Sequence, residues 1–397
     1  MSVIESGNVA AAMGVQLAKA QVIAAYPITP QTPLTEKLSE LIEGGHLDAE
    51  YIAVESEHSA LSVCIGAASA GVRAFTATSA NGLLYMSEQV HWAAGARLPI
   101  VMCIVNRGVG APWTIWNDHQ DSISQRDAGW IQLYVNDHQE IIDTVIKAFR
   151  LAEAVSIPVM VCYDGYYLSH TYMPFEVPDN QKVDQFLPPY HFKYSLNPEN
   201  PESLNTVTMA HSRPDRDQII QPGYMDIRHN LHQEMRGAIP VLEEIDGQYK
   251  KLIGRGGNPI ANEYRCEDAD TVAVSMGSVA NRTKDIVDEL RKEGVKIGSL
   301  ALHLYRPFPN ETIIKSLQDK KRVLVLEKAL SYGNQGALYG DIKAALYPCL
   351  KRPEITNYIM GLGGRDITNE DLYTALKNSY TAAETVGDAP QWIGLNR

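Results

Sequence analysis

Over its first 165 residues the chain alternates between short, uninterrupted apolar runs and longer stretches with helical spacing. QVIAAY (21–26), EYIAVE (50–55), RAFTAT (73–78), PIVMCIV (99–105) and PVMVCYD (158–164) read as strands. Asn8 caps a small-residue helix that runs to about Lys19, and Thr32 before Pro33 opens a second helix. That second helix carries the stripe Leu34, Leu38, Leu41 and Ile42 and stops at Gly44-Gly45. Further helices are expected at about 57–71 and 81–94, and the clearest period lies in QEIIDTVIKAFRLAEAV (139–155). Strands without polar alternation are buried on both faces, and strands separated by helices pair in parallel. The pattern predicts a layered α/β domain built on a parallel sheet.

From about Val177 to Gly257 the period fades. Pro188, Pro189, Pro198, Pro201, Pro214 and Pro222 stand among acidic, aromatic and amide residues. About eighty weakly patterned residues are unusual inside a folded protein, so this stretch is expected to be an extended connector with a role in assembly. A second α/β block opens at TVAVSMG (271–277), with further strands VKIGSLAL (295–302), RVLVLE (322–327) and TNYIMG (356–361). Its helices fall near 280–292, 310–318, 335–346 and 368–377, the first with Ile286, Val287 and Leu290 on one side. Three units are expected: 1–176, 177–257 and 258–397.

Composition narrows the function. The chain has 397 residues and a formal net charge of −12, which argues against a nucleic acid partner because neutralising phosphates needs surplus Lys and Arg. No run reaches the roughly 18–20 uncharged apolar residues of a membrane span, and no secretory signal pattern is visible at the start. The five cysteines, Cys64, Cys103, Cys162, Cys266 and Cys349, are far apart with no CxxC. Neither a local zinc ribbon nor a ferredoxin-type cluster is therefore expected in this chain, and no resident metal. A reducing cytoplasm suits such cysteines best.

Open parallel sheets bind ligands at the carboxyl ends of their strands, which singles out four loops. YPITPQTP (26–33) offers Tyr26, Thr29 and Thr32 hydroxyls on a proline-stiffened backbone, though a rigid turn explains the same residues. In VESEHSA (54–60), Glu55 and Glu57 share a face across a strand-to-helix junction, where a plain helix cap accounts for one carboxylate. FTATSANGLLYM (75–86) is hydroxyl-rich, with a turn-forming Asn81-Gly82. VNRGVGAPWTIWNDHQDSISQRD (105–127) is the densest, holding Arg107, Asn117, Asp118, His119, Asp121, Arg126 and Asp127 with Trp113 and Trp116. Arg107, directly after an apolar strand, is placed to grip a carboxylate through bidentate hydrogen bonds. Metal ligation by His119 is disfavoured because no second histidine stands at ligand spacing, and a loop salt-bridge network is the alternative. Neither GxxxxGK(S/T), HExxH nor GxSxG occurs, and IGRGGN (253–258) and GLGGRD (361–366) are glycine turns without a nucleotide fingerprint.

Taken together and in order, YPITP, ESEHSA, FTATSANGLLYM, RLPIVMCIVNR and IWNDHQDSISQRDAGWIQ resemble the alpha subunit of pyruvate:ferredoxin oxidoreductase and related 2-oxoacid:acceptor oxidoreductases. GSVANRTKDIVDELRKEGVKIGSLALHLYRPFP resembles the transketolase C-terminal-like domain of that subunit. The resemblance implies a pyrimidine-binding domain for thiamine diphosphate, shared with a beta subunit that holds the diphosphate, Mg2+ and a 4Fe–4S cluster. Gamma and ferredoxin-like delta subunits, ferredoxin or another acceptor, and coenzyme A are the further partners it implies. DGY (164–166) lacks the preceding glycine of the family's diphosphate motif, in keeping with that division. Residue by residue, Glu57 matches the glutamate that contacts the pyrimidine ring nitrogen and promotes proton removal from the cofactor, with Glu55 the competitor. Thr29 and Arg107 match the residues that hold the substrate carboxylate and carbonyl. Tyr26, Pro27, Ile28 and Asn81 are expected against the cofactor, and Trp113 and Asn117 beside the substrate.

The implied activity is oxidative decarboxylation of a 2-oxoacid to acyl-CoA and carbon dioxide; Thr29 in YPITP favours a monocarboxylic acid, and pyruvate comes first as the larger class in the family. The chain departs from pyruvate-specific relatives after Arg107, where GVGAPWTIW replaces a small aliphatic run, and Tyr85 replaces an aliphatic residue. An aryl 2-oxoacid such as phenylglyoxylate, with a nicotinamide as final acceptor, is therefore the alternative. A noncatalytic scaffold subunit is a second one. A self-contained nucleotide-binding oxidoreductase is disfavoured for want of a glycine fingerprint after any strand.

Overall fold

The uninterrupted apolar runs become strands, buried for the most part; the exception is the strand at 50–53, which ends its sheet and is mostly exposed. The structure, a computed structural model, describes residues 1–191, 223–381 and 389–395. The first unit holds, in chain order, β1 (Ser2–Ser6), α1 (Gly7–Leu17), β2 (Val22–Ala25), α2 (Thr32–Glu43), β3 (Glu50–Ala53), α3 (Glu57–Ser69), β4 (Ala74–Thr78) and α4 (Ala80–Tyr85). It continues with α5 (Ser87–Gly95), β5 (Val101–Asn106), α6 (Gln120–Ser124), β6 (Ile131–Tyr134), α7 (His138–Val155), β7 (Val159–Asp164) and β8 (Tyr172–Glu176). Then come α8 (Asn180–Phe186), α9 (Tyr224–Ile253), β9 (Ala261–Tyr264), β10 (Thr271–Ser275), α10 (Val279–Lys292), β11 (Ile297–Leu302) and β12 (Leu304–Arg306). The chain ends with α11 (Asn310–Leu317), β13 (Arg322–Glu327), α12 (Ala337–Leu346), β14 (Glu354–Ile359), α13 (Asn369–Thr381) and β15 (Gln391–Trp392).

A seven-stranded sheet runs β12-β6-β7-β5-β4-β2-β3, parallel except for β12. Every residue of β4, β5 and β7 is buried, as strands covered on both faces must be. A second, six-stranded sheet runs β15-β14-β13-β10-β11-β9, parallel except for β9. Ile286, Val287 and Leu290 of α10 are buried, as their spacing implies. β1 and β8 form a separate antiparallel ribbon. β12, just past the second unit's β11, returns to extend the first sheet, so the two sheets are joined by more than a linker.

Several local expectations are corrected. Ser6, not Asn8, caps α1, its hydroxyl accepting the Val9 N–H. Asn8 instead lies inside the helix and reaches the site side, donating to Pro30 O at 2.9 Å and accepting from the Tyr163 hydroxyl at 2.9 Å. Thr32 is the first residue of α2 rather than its cap. The single helix expected over 81–94 is two, α4 and α5, which meet at Met86.

The stretch 177–257 is not an extended connector where it is described; its residues 192–222 lie outside the described residues. It holds α8 and the thirty-residue α9, whose buried Leu231, Ala238, Leu242, Ile245 and Tyr249 do follow a helical period. The prolines around it, and Pro240 inside it, obscured that period. Lys147 of α7 meets Asp246 at 2.8 Å, and Tyr249 donates to Asp143 at 2.7 Å, so α9 is bonded to the first unit's longest described connecting helix.

Candidate active site

The two adjacent carboxylates at the start of α3 separate cleanly. Glu55 is exposed and accepts the Ser59 hydroxyl, a bond that holds its carboxyl below the usual range. Ser56 performs the capping, accepting the Ser59 N–H at 3.2 Å. Glu57 is the first helical residue, only 8% exposed, and its carboxylate has no hydrogen-bond partner among the described residues. A side-chain carbon at Gly82 would lie 2.6 Å from Glu57 Oε1 and 2.5 Å from Thr78 Oγ1, so the two groups face the same small space and only glycine leaves room. The Thr78 hydroxyl is buried there with no partner, and so is the Ser79 hydroxyl on the next residue, whose extended backbone turns it away from Thr78. A carboxylate and an orphaned hydroxyl facing one small space suit a ligand with ring nitrogens and an amino group, as the pyrimidine of thiamine is.

Arg107 follows β5 and is 4% exposed. Its Nη1 donates to Thr29 O at 2.6 Å, while its Nε is buried without a partner. Burial works against the guanidinium's charge, and Asp121, Tyr166 and Glu57 favour it, in that order. The Glu57 carboxylate thus lies within electrostatic reach of Arg107, although the two come from loops after different strands. The buried Asp121 accepts Arg107 N at 3.0 Å, Ala80 N at 2.9 Å, Asn106 Nδ2 at 2.7 Å and Ser122 N at 2.8 Å. It thereby ties the loop after β4 to the loop after β5. Burial pushes the Asp121 carboxyl up, against donors that favour the anion.

The remaining expected residues divide into two groups. Tyr26, Pro27 and Thr29 are exposed at the end of β2 and Ile28 is half-buried, with Ile28 N donating to Gln31 Oε1 at 3.3 Å. Asn81 Oδ1 accepts Gly110 N at 3.0 Å and so braces the loop after β5 against α4. Asn117 and Trp113 do not join the Glu57–Arg107 group. Trp113 is 78% exposed, and Asn117 is fully buried, donating to Asn106 O at 3.2 Å and accepting from Lys328 at 2.9 Å. Asn117 is therefore held inside the protein, not presented to a ligand.

That lysine belongs to a buried group between the two sheets. His119 Nε2 and Asp164 Oδ1 are 2.7 Å apart, and Lys328 Nζ meets Asp164 Oδ2 at 2.7 Å. Ser278 also donates to Asp164 through its backbone N–H and its hydroxyl. Burial would raise the Asp164 carboxyl, but Lys328 and His119 hold it well below the usual range. His119 is thus a partner of a carboxylate, and among the described residues no three His, Cys, Asp or Glu side chains gather as metal ligands. Asp121, Asp164, Lys328 and Gly82 were not singled out individually as site residues by the sequence. Asp164 and Lys328 do end or follow buried strands, the one signal that marks them.

Residues 13–235 match the family model described as pyruvate flavodoxin/ferredoxin oxidoreductase, thiamine diP-binding, and residues 269–372 match pyruvate:ferredoxin oxidoreductase core domain II. Pyruvate synthase subunit PorA of Methanocaldococcus jannaschii is 44% identical over 98% of this chain and 97% of its own length. Ketoisovalerate oxidoreductase subunit VorA of Pyrococcus abyssi is 43% identical over 99% of this chain and 98% of its own. Among solved structures, 2-oxoglutarate:ferredoxin oxidoreductase from Magnetococcus marinus, with 2-oxoglutarate, coenzyme A and succinyl-CoA bound, superposes with a TM-score of 0.71 at 21% identity. The match covers 96% of this chain and 65% of that one, so the chain spans just under two thirds of that solved chain. A split-gene transketolase superposes at 0.53 with 12% identity and, like the former, speaks to the fold alone. The expected parallel-sheet thiamine-binding fold is present, and the chain belongs to the pyruvate and 2-oxoacid:ferredoxin oxidoreductase family, as an alpha subunit.

Proposed function

We propose that this chain forms one wall of the reaction cleft in a thiamine diphosphate-dependent, coenzyme A-acylating 2-oxoacid:ferredoxin oxidoreductase that acts on a monocarboxylic 2-oxoacid. The observation that carries the reading is an unpartnered buried carboxylate after β3 within electrostatic reach of a buried guanidinium after β5 that keeps a free N–H. Thiamine diphosphate, when bound, supplies the nucleophilic carbon and the electron sink that decarboxylation of a 2-oxoacid requires.

Glu57 would hold the pyrimidine ring through the nitrogen that accepts a proton, and the Thr78 hydroxyl beside it would take up a polar atom of the same ring. In so buried a place a single carboxylate is strongly coupled to the proton it shares, because little water competes. Arg107 would bind the substrate carboxylate with the charge that its bond to Thr29 O orients, and the Thr29 hydroxyl would lie beside the carbonyl. Removing a charge-assisted contact of this kind costs about 1.5–3 kcal/mol of substrate binding. The diphosphate, Mg2+ and 4Fe–4S sites fall, on this reading, to partner subunits: a beta subunit, with gamma and ferredoxin-like delta subunits passing electrons to ferredoxin.

Pyruvate is the first substrate, with a branched aliphatic 2-oxoacid next. The relatives named above act as pyruvate synthase and ketoisovalerate oxidoreductase, which supports an aliphatic acid. Trp113 and Tyr85, which would build an aryl pocket, are 78% and 60% exposed and do not enclose Arg107 within this chain. The test is reconstitution with partner subunits and a panel of pyruvate, 2-oxoisovalerate, 2-oxoglutarate and phenylglyoxylate, read by ferredoxin reduction. Turnover of pyruvate or 2-oxoisovalerate only in the assembled complex is expected. Full activity of the isolated chain, or preference for phenylglyoxylate, would contradict the reading.

A further inference from the structure

Lys328 is 2% exposed and directly follows β13 of the second sheet, yet both its ends are bonded to the loop after β5 of the first. Its backbone O accepts His119 N at 2.9 Å, and its Nζ donates to Asn117 Oδ1 at 2.9 Å. The same ammonium reaches Asp164 Oδ2 at 2.7 Å and Ser278 Oγ at 3.4 Å, so three acceptors surround its three N–H donors. Asn117 carries the connection onward, donating from Nδ2 to the backbone O of Asn106, the residue before Arg107. The loop closes there, since Gly108 N donates to Trp116 O at 2.9 Å. The second unit's GLGGRD turn holds the same place from outside. Gly363 N donates to Asp118 Oδ2 at 3.1 Å and Gly364 N to Asn117 O at 2.7 Å. Gly364 has φ +76°, and a side-chain carbon there would collide with Trp116.

We propose that Lys328 is a positioning residue for the 2-oxoacid site: through Asn117 it sets the backbone at Asn106–Arg107 and so aims the guanidinium that binds the substrate carboxylate. The inference rests on the assignment of Arg107 to that carboxylate. Burying an ammonium among the sheets is unfavourable unless every donor is matched. An apolar residue would serve a plain domain contact, whereas a three-donor cation fixes the direction of its acceptors. Lys328 touches no reacting atom. Its effect belongs in substrate affinity and not in the binding of coenzyme A.

The assembled complex separates these roles, with KM measured independently for the best 2-oxoacid of the panel and for coenzyme A. Asn117→Ala cuts the connection while leaving the Lys328–Asp164 ion pair, and hence the contact between units, in place. It is expected to raise the 2-oxoacid KM about tenfold, in line with the penalty for a misaimed binding group, with the coenzyme A KM within about twofold. Lys328→Met is expected to do the same and to lower thermal stability. Adding Asp164→Asn to Lys328→Met should recover stability and leave the KM high, which a merely structural lysine would not do. Should Lys328→Met fail to assemble, Asn117→Ala decides alone. Arg107→Lys is the reference. If it raises the 2-oxoacid KM and Asn117→Ala does not, the positioning role is overturned while the proposed function stands. If neither moves it, the assignment of Arg107 itself fails.

Discussion

Glu55 and Glu57 show how two residues of one type, two positions apart, receive different work from their surroundings. Exposure and the Ser59 hydroxyl make Glu55 an ordinary surface carboxylate, whereas Glu57 is buried facing Thr78 across Gly82. The sequence could name both candidates; choosing between them from residues alone needed the direction in which each side chain points. Asn117 shows the opposite failure, since a polar residue in a dense loop reads as ligand-facing until its three hydrogen-bonded neighbours are seen. Asp118 carries a titration that the sequence does not disclose. Burial and nearby Asp121 push its carboxyl up to about 6, despite donors from Gln120 and Gly363 that favour the anion. A carboxyl raised in the folded state stabilises the fold fully below its unfolded value, about 3.9, and loses that contribution as pH rises through about 6. Thermal unfolding between pH 4 and 7 should therefore show a component that falls with pH in the wild type and is missing in Asp118→Asn. An identical pH slope in both would contradict this.

At the scale of elements, uninterrupted apolar runs were legible because burial on both faces leaves no polar position to confuse the period. β4, β5 and β7 stand where they were expected, within a residue or two. The strands that were missed are short ones: the β1–β8 ribbon, β6, β9, β12 and β15. Their stability comes from a partner strand distant in sequence, which no local pattern encodes. α9 was hidden for another reason, a proline-rich neighbourhood around a valid helical stripe. The proposed site lies where loops after β2, β4 and β5 meet the start of α3, which follows β3, and Gly82 is packed directly against Glu57 there. Gly82→Ala forces the new carbon against Glu57 and Thr78, and overpacking of this kind costs about 1–3 kcal/mol. The expected result is an activity loss of at least about tenfold in the assembled complex. Unchanged kcat and KM would show that the Glu57 carboxylate is not where the chemistry is set.

At the scale of the whole molecule, the presence of two strand-and-helix blocks was legible, but their dependence on each other was not. β12 pairs with β6, Lys328 and the GLGGRD turn hold the loop after β5, and α9 is bonded to α7. These contacts link residues more than 90 positions apart, beyond the reach of any periodicity. A fragment ending at 257 loses β12 and takes Lys328 from Asp164, and removing one partner of a buried ion pair costs about 3–5 kcal/mol. Such a fragment should be unfolded or aggregated by circular dichroism and size-exclusion chromatography, whereas a soluble, cooperatively folding fragment would show the units to be independent.

The most direct test is the turnover of Glu57→Gln in the fully assembled complex, beside Glu55→Gln. Gln keeps the shape of the side chain and removes the charge that shares a proton with the ring. A drop of about 10²–10⁴-fold in kcat is expected for Glu57→Gln with assembly intact, and a change within about twofold for Glu55→Gln. Near-normal turnover by Glu57→Gln would mean that the buried acid serves only the fold, and the cleft described here would not be the reaction site.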